Sequence, residues 1–356
     1  MKREHILIIR FSAMGDVAMA VPVVYSLAMQ YPDLRITVLS RAFARAFFED
    51  LAPNVDFMEA DLKHEYHGVR GLNALYRRLT AKQFTKIADL HNVLRSEYLR
   101  MRFNMGRYRV EHLDKHRRDR RRLTAYNNKV RKQLNTPFEN YAEVLAKLGY
   151  PVHVEFTSLF PPEGGNLNML PAIIGPKKNF EQWIGIAPTA AHPGKTYPTA
   201  RTRLVIDQLQ KKYPNARFFL FGKGEEEDRL FTAWSQEVPR CVYVSRHLEN
   251  MHQELILMSH LDVMLSMDSS NMHMASLTAT PVVSIWGATH PYAGFMGWNQ
   301  PAENAIQADL DCRPCSIYGN KSCRRRDLAC MNLIKPETIT ERIVQIINQK
   351  SNSQSL

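Results

Sequence analysis

The chain has 356 residues, 45% apolar and 23% charged, the balance of a water-soluble globular protein long enough for two domains with sizeable cores. Lys plus Arg exceed Asp plus Glu by 47 to 35, a formal charge of +12, which predicts an anionic partner and leaves nucleic acid, anionic lipid and phosphorylated small molecules open. The apolar stretch 17–29 is preceded by Arg10 and Asp16 and interrupted by Pro22. Neither a secretory signal nor a transmembrane span is therefore expected, which makes the chain cytoplasmic and its five cysteines mostly reduced.

The run Ile6-Leu7-Ile8-Ile9 reads as a buried parallel-type strand. It continues through Arg10-Phe11-Ser12-Ala13-Met14-Gly15-Asp16 into a helix expected over 17–30. Asp16 falls at the helix start, where the bland reading is an N-cap favoured by the helix dipole. A carboxylate at the carboxyl end of a first strand is also where a general base would sit. Gly15 alone makes no dinucleotide fingerprint, since the full G-x-G-x-x-G is missing.

Strands are next expected at 35–39, 55–58 and 86–90, with helices over 41–51, 69–81 and 93–103. The alternation implies a mostly parallel sheet. Residues 115–132 then carry the densest positive run, including Arg117, Arg118, Arg120 and Arg121. A solvated helix explains such a run, but so many like charges repel unless an anion neutralises them. A helix over 141–148 is stopped by Gly149 and Pro151.

The Pro- and Gly-rich stretch 161–178 is the expected linker. Beyond it, the strand Trp183-Ile184-Gly185-Ile186-Ala187 runs into Pro188-Thr189-Ala190-Ala191-His192-Pro193-Gly194-Lys195. That loop mixes hydroxyl, glycine and lysine, the ingredients of a phosphate grip, without P-loop spacing. A helix near 201–212 and a strand at 217–221 follow. They lead to Gly222-Lys223-Gly224-Glu225-Glu226-Glu227, where an acid can bind ribose hydroxyls or merely open the next helix.

After a strand at 242–244 and a helix near 249–258, two apolar runs, 263–267 and 282–286, flank Asp268-Ser269-Ser270-Asn271-Met272-His273. Strand, helix, strand is the reading, with Ser269 or Ser270 as cap and the helix start at the strand's carboxyl end, a suitable place for a phosphate. An ordinary capped core helix would look the same. Asp268 and His273 tip the balance, because charge on an otherwise apolar unit is costly without a task or a partner.

These motifs, with Pro22 after the first, Pro198 after the second, and Pro281 and Gly287-Ala288-Thr289 after the third, resemble glycosyltransferase family 9, the lipopolysaccharide heptosyltransferases. The resemblance spans nearly the whole chain. It implies a GT-B α/β fold of two Rossmann-like domains facing an interdomain cleft. The expected boundaries are 1–165 for acceptor binding, 180–335 for nucleotide-sugar binding, and 336–350 for a last helix returning to the first domain. It also implies metal-independent, inverting transfer of heptose from ADP-heptose to a lipopolysaccharide inner-core acceptor, with no cofactor required for catalysis.

Under that resemblance Asp16 matches the general base, and Thr189 and Lys195 match donor-phosphate contacts. Asp268, Ser269, Ser270 and His273 match the donor-binding motif, and Glu226 a ribose contact. The family usually has Gly where this chain has Ser270. Acceptor residues do not transfer, although Arg117, Arg118, Arg120 and Arg121 suit an anionic lipopolysaccharide precursor, with peripheral contact at the cytoplasmic face of the inner membrane. A GT-B transferase using another nucleotide sugar for envelope glycans is the nearer alternative. A basic nucleic-acid-binding protein is the distant one, and no nucleic-acid motif supports it.

Cys312-x-x-Cys315, Cys323 and Cys330 form a separate pattern. Four-cysteine spacing can hold structural zinc, but the later pair lacks a second C-x-x-C, and zinc is not the favoured reading.

Overall fold

A computed structural model describes residues 4–354, so the first three residues of the expected first domain lie outside the described ones. The chain divides into two compact units, one of Met1–His116 with Asn135–Leu159, the other of Arg117–Leu134 with Phe160–Leu356.

The first unit is built on five parallel strands, β1 (His5–Ile9), β2 (Arg35–Ser40), β3 (Val55–Glu59), β4 (Lys86–Asp89) and β5 (Arg109–His112), in the order β3-β2-β1-β4-β5. Ile6 stands opposite Ile36 on one side and Lys86 on the other. Every residue of β1 is buried, which is why its sequence is a continuous apolar run rather than an alternating one. The stretch expected as one helix is two, Met14–Ala18 and Val21–Gln30. Pro22 explains the break, since it is tolerated in a first helical turn and not in an interior.

In the second unit the strands are β6 (Trp183–Ala187), β7 (Arg217–Leu220), β8 (Cys241–Tyr243), β9 (Val263–Met267), β10 (Val282–Trp286) and β11 (Ala305–Gln307), all parallel, in the order β11-β10-β9-β6-β7-β8. Counted from its own first strand, this is the 3-2-1-4-5-6 order of a doubly wound nucleotide-binding sheet. The first and fourth strands of each unit are neighbours, β1 beside β4 and β6 beside β9. Strand order reverses there, and ligands bind beyond the carboxyl ends at such a point. The marked loops leave those ends: 10–16 after β1, 188–195 after β6 and 268–273 after β9.

The last helix, Pro336–Gln354, packs in the second unit. Its Ile339, Ile343, Ile346 and Ile347 are buried in the second unit's core with Val205, Ile206 and Leu209 of the helix Thr199–Lys212. The helical spacing of those isoleucines makes one apolar stripe, and the second unit covers it.

The basic run also departs from its expected place in the acceptor-binding half. Residues Arg117–Leu134 cluster with the second unit. Arg120 Nη1 donates to the Tyr318 hydroxyl at 2.6 Å, Lys129 Nζ to the Cys312 and Pro314 carbonyls at 2.7 and 2.9 Å, and the Leu134 amide to the Tyr292 carbonyl at 2.9 Å. Among the described residues no helix is long and apolar enough to cross a membrane.

Because Ile343 is fully buried in that stripe, Ile343→Ala should lower stability by about 2–4 kcal/mol through lost burial and a residual cavity. Urea unfolding should show the midpoint fall, and a loss under about 1 kcal/mol would contradict this packing.

Candidate active site

The loop after β6 is folded back on itself. The Thr196 hydroxyl accepts from the Ala190 amide at 3.3 Å and donates to the His192 carbonyl at 3.3 Å, and Pro193–Lys195 forms a single 3₁₀ turn. The adjacent Tyr197 anchors the exit, its amide meeting Met267 Sδ at 3.3 Å and its hydroxyl the Ile334 carbonyl at 2.8 Å. Lys195 thereby projects from a rigid base. Its Nζ lies 3.0 Å from Asp268 Oδ2, with the two side chains 17% and 5% exposed. Thr189, two residues past the strand, is half-buried.

Asp268 terminates β9, and its amide donates to the Ile285 carbonyl of β10 at 3.2 Å. Ser269 takes the N-cap position of the helix Ser270–Leu277, yet its hydroxyl makes no capping bond and instead meets Ser266 Oγ at 3.1 Å. The sequence expectation of a serine side-chain cap is corrected here, because the neighbouring strand hydroxyl competes for it. The helix therefore begins without a side-chain cap, and its first-turn N–H groups and positive dipole end suit an anion. Ser270 is helical and needs no left-handed backbone. His273 is buried one turn on. Sheet order thus brings Lys195, Asp268 and the helix start together at one switch point.

In the first unit, Arg10 is buried just past β1 and donates through Nη1 to the Leu90 carbonyl at 2.5 Å, tying the exits of β1 and β4 together. Its Nη2 lies 2.8 Å from Asp16 Oδ2, which also accepts from the Ala13 amide at 3.3 Å. Both contacts fall on Oδ2. The Tyr141 hydroxyl donates to the Asp16 carbonyl at 3.3 Å, and the Arg10 guanidinium lies 5.8 Å from the Tyr141 ring centre. Asp16 is not the N-cap that the sequence suggests: Ala13 holds that position, and Asp16, at the third helical position, accepts from the Ala13 amide. His91 Nε2 is 3.3 Å from Ser12 Oγ. Burial first, then the charges of Arg10 and Lys115, push the His91 ring down to about 3, so it is neutral at physiological pH.

Glu226 is exposed in the first turn of the helix Glu225–Glu237, beside Glu225, Glu227 and Asp228, where the dipole favours acids without further reason. Arg117, Arg118 and Arg121 are exposed, whereas Arg120 is committed to Tyr318 and stacks toward Phe295. All four clustered cysteines line one cavity of ≈430 Å³, with Lys129, Gly194 and Ala288 also in its wall. Among the described residues no three His, Cys, Asp or Glu side chains are arranged to share a metal ion.

The family model of glycosyltransferase family 9 (heptosyltransferase) matches residues 72–323. The chain is 23% identical over 173 residues to lipooligosaccharide heptosyltransferase 2 of Campylobacter jejuni, a match covering 48% of this chain and about half (52%) of that protein. Its fold is similar to that of a family 9 glycosyl transferase from Veillonella parvula, with TM-score 0.73, 17% identity and 98% of each chain covered. It is similar also to that of E. coli ADP-heptose LPS heptosyltransferase II, with TM-score 0.67, 17% identity and coverage of 98% and 99%. At such identities these likenesses establish the GT-B fold.

Sequence reasoning passed over Glu254, on the helix Met251–Ser259. Burial pushes its carboxyl up to about 7 against the opposing Lys223 ammonium. The folded chain then holds a proton that the unfolded chain releases near 4.5, so stability is lost as pH rises from about 4.5 through about 7. Glu254→Gln should abolish this loss, standing above wild type at pH 8 by at most about 3 kcal/mol and converging on it at about pH 4. Paired thermal melts at the two pH values check this, and parallel pH dependence would contradict it.

Proposed function

The chain belongs to glycosyltransferase family 9, and from that premise we propose that it is an inverting, metal-independent transferase moving heptose from ADP-heptose to the inner core of a lipopolysaccharide precursor. The observation that carries the reading is the Lys195 ammonium held by Asp268 beside a helix start that has no side-chain cap. It fixes the ammonium beside the positive end of a helix dipole, a combination suited to a diphosphate.

In this reading the second unit holds the donor. Lys195, Thr189 and the first turn of Ser270–Leu277 receive the diphosphate. Asp268 and Ser269 position the loop, His273 packs beneath it, and Glu226 reaches for the ribose. The first unit presents Asp16, whose carboxylate takes the proton of the acceptor hydroxyl as that oxygen bonds to the anomeric carbon. The bond from the anomeric carbon to the diphosphate oxygen breaks in line, configuration inverts, and the negative charge on departing ADP is met by Lys195 and the helix N–H groups. Arg10 fixes the carboxylate's orientation, which is the purpose of preorganisation. Neutral His91 adds no competing charge.

The exposed Arg117, Arg118 and Arg121 suit the phosphorylated, lipid-borne acceptor and the anionic cytoplasmic face of the membrane that carries it. The E. coli neighbour is described by its ADP-heptose donor, which supports the choice of nucleotide.

Isothermal titration with ADP, UDP and GDP tests the reading, with ADP expected to bind at least about tenfold tighter than either. A preference for UDP or GDP would transfer the chain to another nucleotide sugar. No nucleotide affinity, with steeply salt-dependent binding of nucleic acid, would overturn the enzyme reading. Asp16→Ala should leave ADP affinity nearly unchanged and lower kcat by about 10²–10⁴-fold, whereas near-normal turnover would reduce Asp16 to a helix cap.

A further inference from the structure

The segment between Cys312 and Cys330 has no part in the chemistry above, yet it lies directly on the loop that carries Lys195. Its approach is built from backbone bonds. The Ala288 amide donates to the Gly194 carbonyl at 2.8 Å, and the Ala288 carbonyl accepts from the Cys315 and Ser316 amides at 3.0 and 3.2 Å. Arg313 is 3% exposed, and its guanidinium donates to the Gly287, Trp286, Thr289 and Ala308 carbonyls and to Gln307 Oε1. So many bonds from one buried cation fix where the segment leaves β10. Ser316, itself buried, accepts from the Gly319 amide at 2.9 Å and donates to Asn320 Oδ1 at 3.0 Å, closing a tight turn.

At the tip of that turn Gly319 has φ +77°, and a Cβ added there would stand 2.4 Å from Lys195 Cγ and 2.6 Å from Cδ, but 3.6 Å from Lys195 Cβ. The glycine backbone is thus seated on the lysine's methylene stem. A Cβ on Gly194 would meet the Gly319 carbonyl at 3.0 Å, so both glycines are needed for the two loops to approach so closely. A lysine stem is otherwise free to rotate about four bonds. Here one side is closed by Gly319 and the far end is taken by Asp268 at 3.0 Å.

We propose that the segment 312–330 is a positioning strap for the donor site, in which Gly319 fixes the Lys195 side chain in the orientation that meets the donor diphosphate. This rests on the reading of Lys195 as a diphosphate contact. Gly319 touches neither donor nor acceptor in this account and acts only through the lysine.

The geometry supplies its own test, because the clash at Gly319 involves the stem beyond Cβ and vanishes when Lys195 is shortened to alanine. Gly319→Ala should weaken ADP binding about tenfold and lower kcat in the otherwise wild-type chain, and should change neither further in a Lys195→Ala background. Gly68→Ala is the control for backbone strain, since Gly68 has φ +66° with nothing within 4 Å of its added Cβ, and it should bind ADP as wild type does. Ser316→Ala, which loosens the turn without adding bulk, should show the same dependence on Lys195 with a smaller factor, and it carries the test if Gly319→Ala does not fold. Equal factors in both backgrounds, or no loss in the chain that keeps Lys195, would overturn the strap while leaving the donor site standing. Unchanged ADP affinity and turnover in Lys195→Ala alone would overturn the donor-site reading, and the strap with it.

Discussion

An ammonium and a carboxylate 3.0 Å apart, Lys195 and Asp268, both largely withdrawn from water, set the terms for the second unit. Removing one partner from such a pair strands the other charge, at a cost of several kcal/mol. The pair is therefore a fixed feature of the site, and the surrounding loops are arranged to keep it. Tyr197 anchors one loop to β9 through Met267 and to the base of the last helix through Ile334. Ser269 spends its hydroxyl on Ser266 rather than on its own helix. What remains is the Lys195 ammonium beside the start of the helix Ser270–Leu277, and among the described residues no three His, Cys, Asp or Glu side chains are arranged to share a metal ion.

The parallel sheets explain why these residues meet at all. Lys195 leaves β6 and Asp268 leaves β9, strands far apart in sequence that pair side by side, with Ile184 opposite Val263. The same logic in the first unit sets Arg10 and Phe11, after β1, against Leu90 and His91, after β4. A doubly wound sheet thus gathers residues from two loops at one edge without any long-range motif having to encode it.

How much of this was legible in the sequence follows from the same physics. Central strands such as Ile6-Leu7-Ile8-Ile9 and Trp183–Ala187 are buried on both faces and announce themselves as apolar runs. The edge strands β5 (Arg-Val-Glu-His) and β11 (Ala-Ile-Gln) pair on one side only and are half-exposed, so they carry no such signal. Asp268 directly follows an apolar run, and Asp16 and Lys195 lie in the loops that leave two others, which makes all three legible. Their partnerships were not, since neither the Lys195–Asp268 pair nor the Arg10–Leu90 bond has a local signature. The basic run was read by charge alone, and charge does not say that Arg120, Lys129 and Leu134 would bind the loops around Tyr318, Cys312 and Tyr292. The last helix showed its apolar stripe plainly, but a stripe does not name the surface that covers it. Gly319 could not have been singled out, because its role depends on a contact with a lysine far away in the chain.

If Lys195 and the start of the helix Ser270–Leu277 do the electrostatic work that a divalent cation does elsewhere, the reaction needs no metal. Turnover of ADP-heptose measured with excess EDTA, then with Mg²⁺ or Mn²⁺ restored, tests that claim most directly. The account predicts activity unchanged by the chelator and by the added ions. Complete loss in EDTA, recovered on returning a divalent cation, would contradict it.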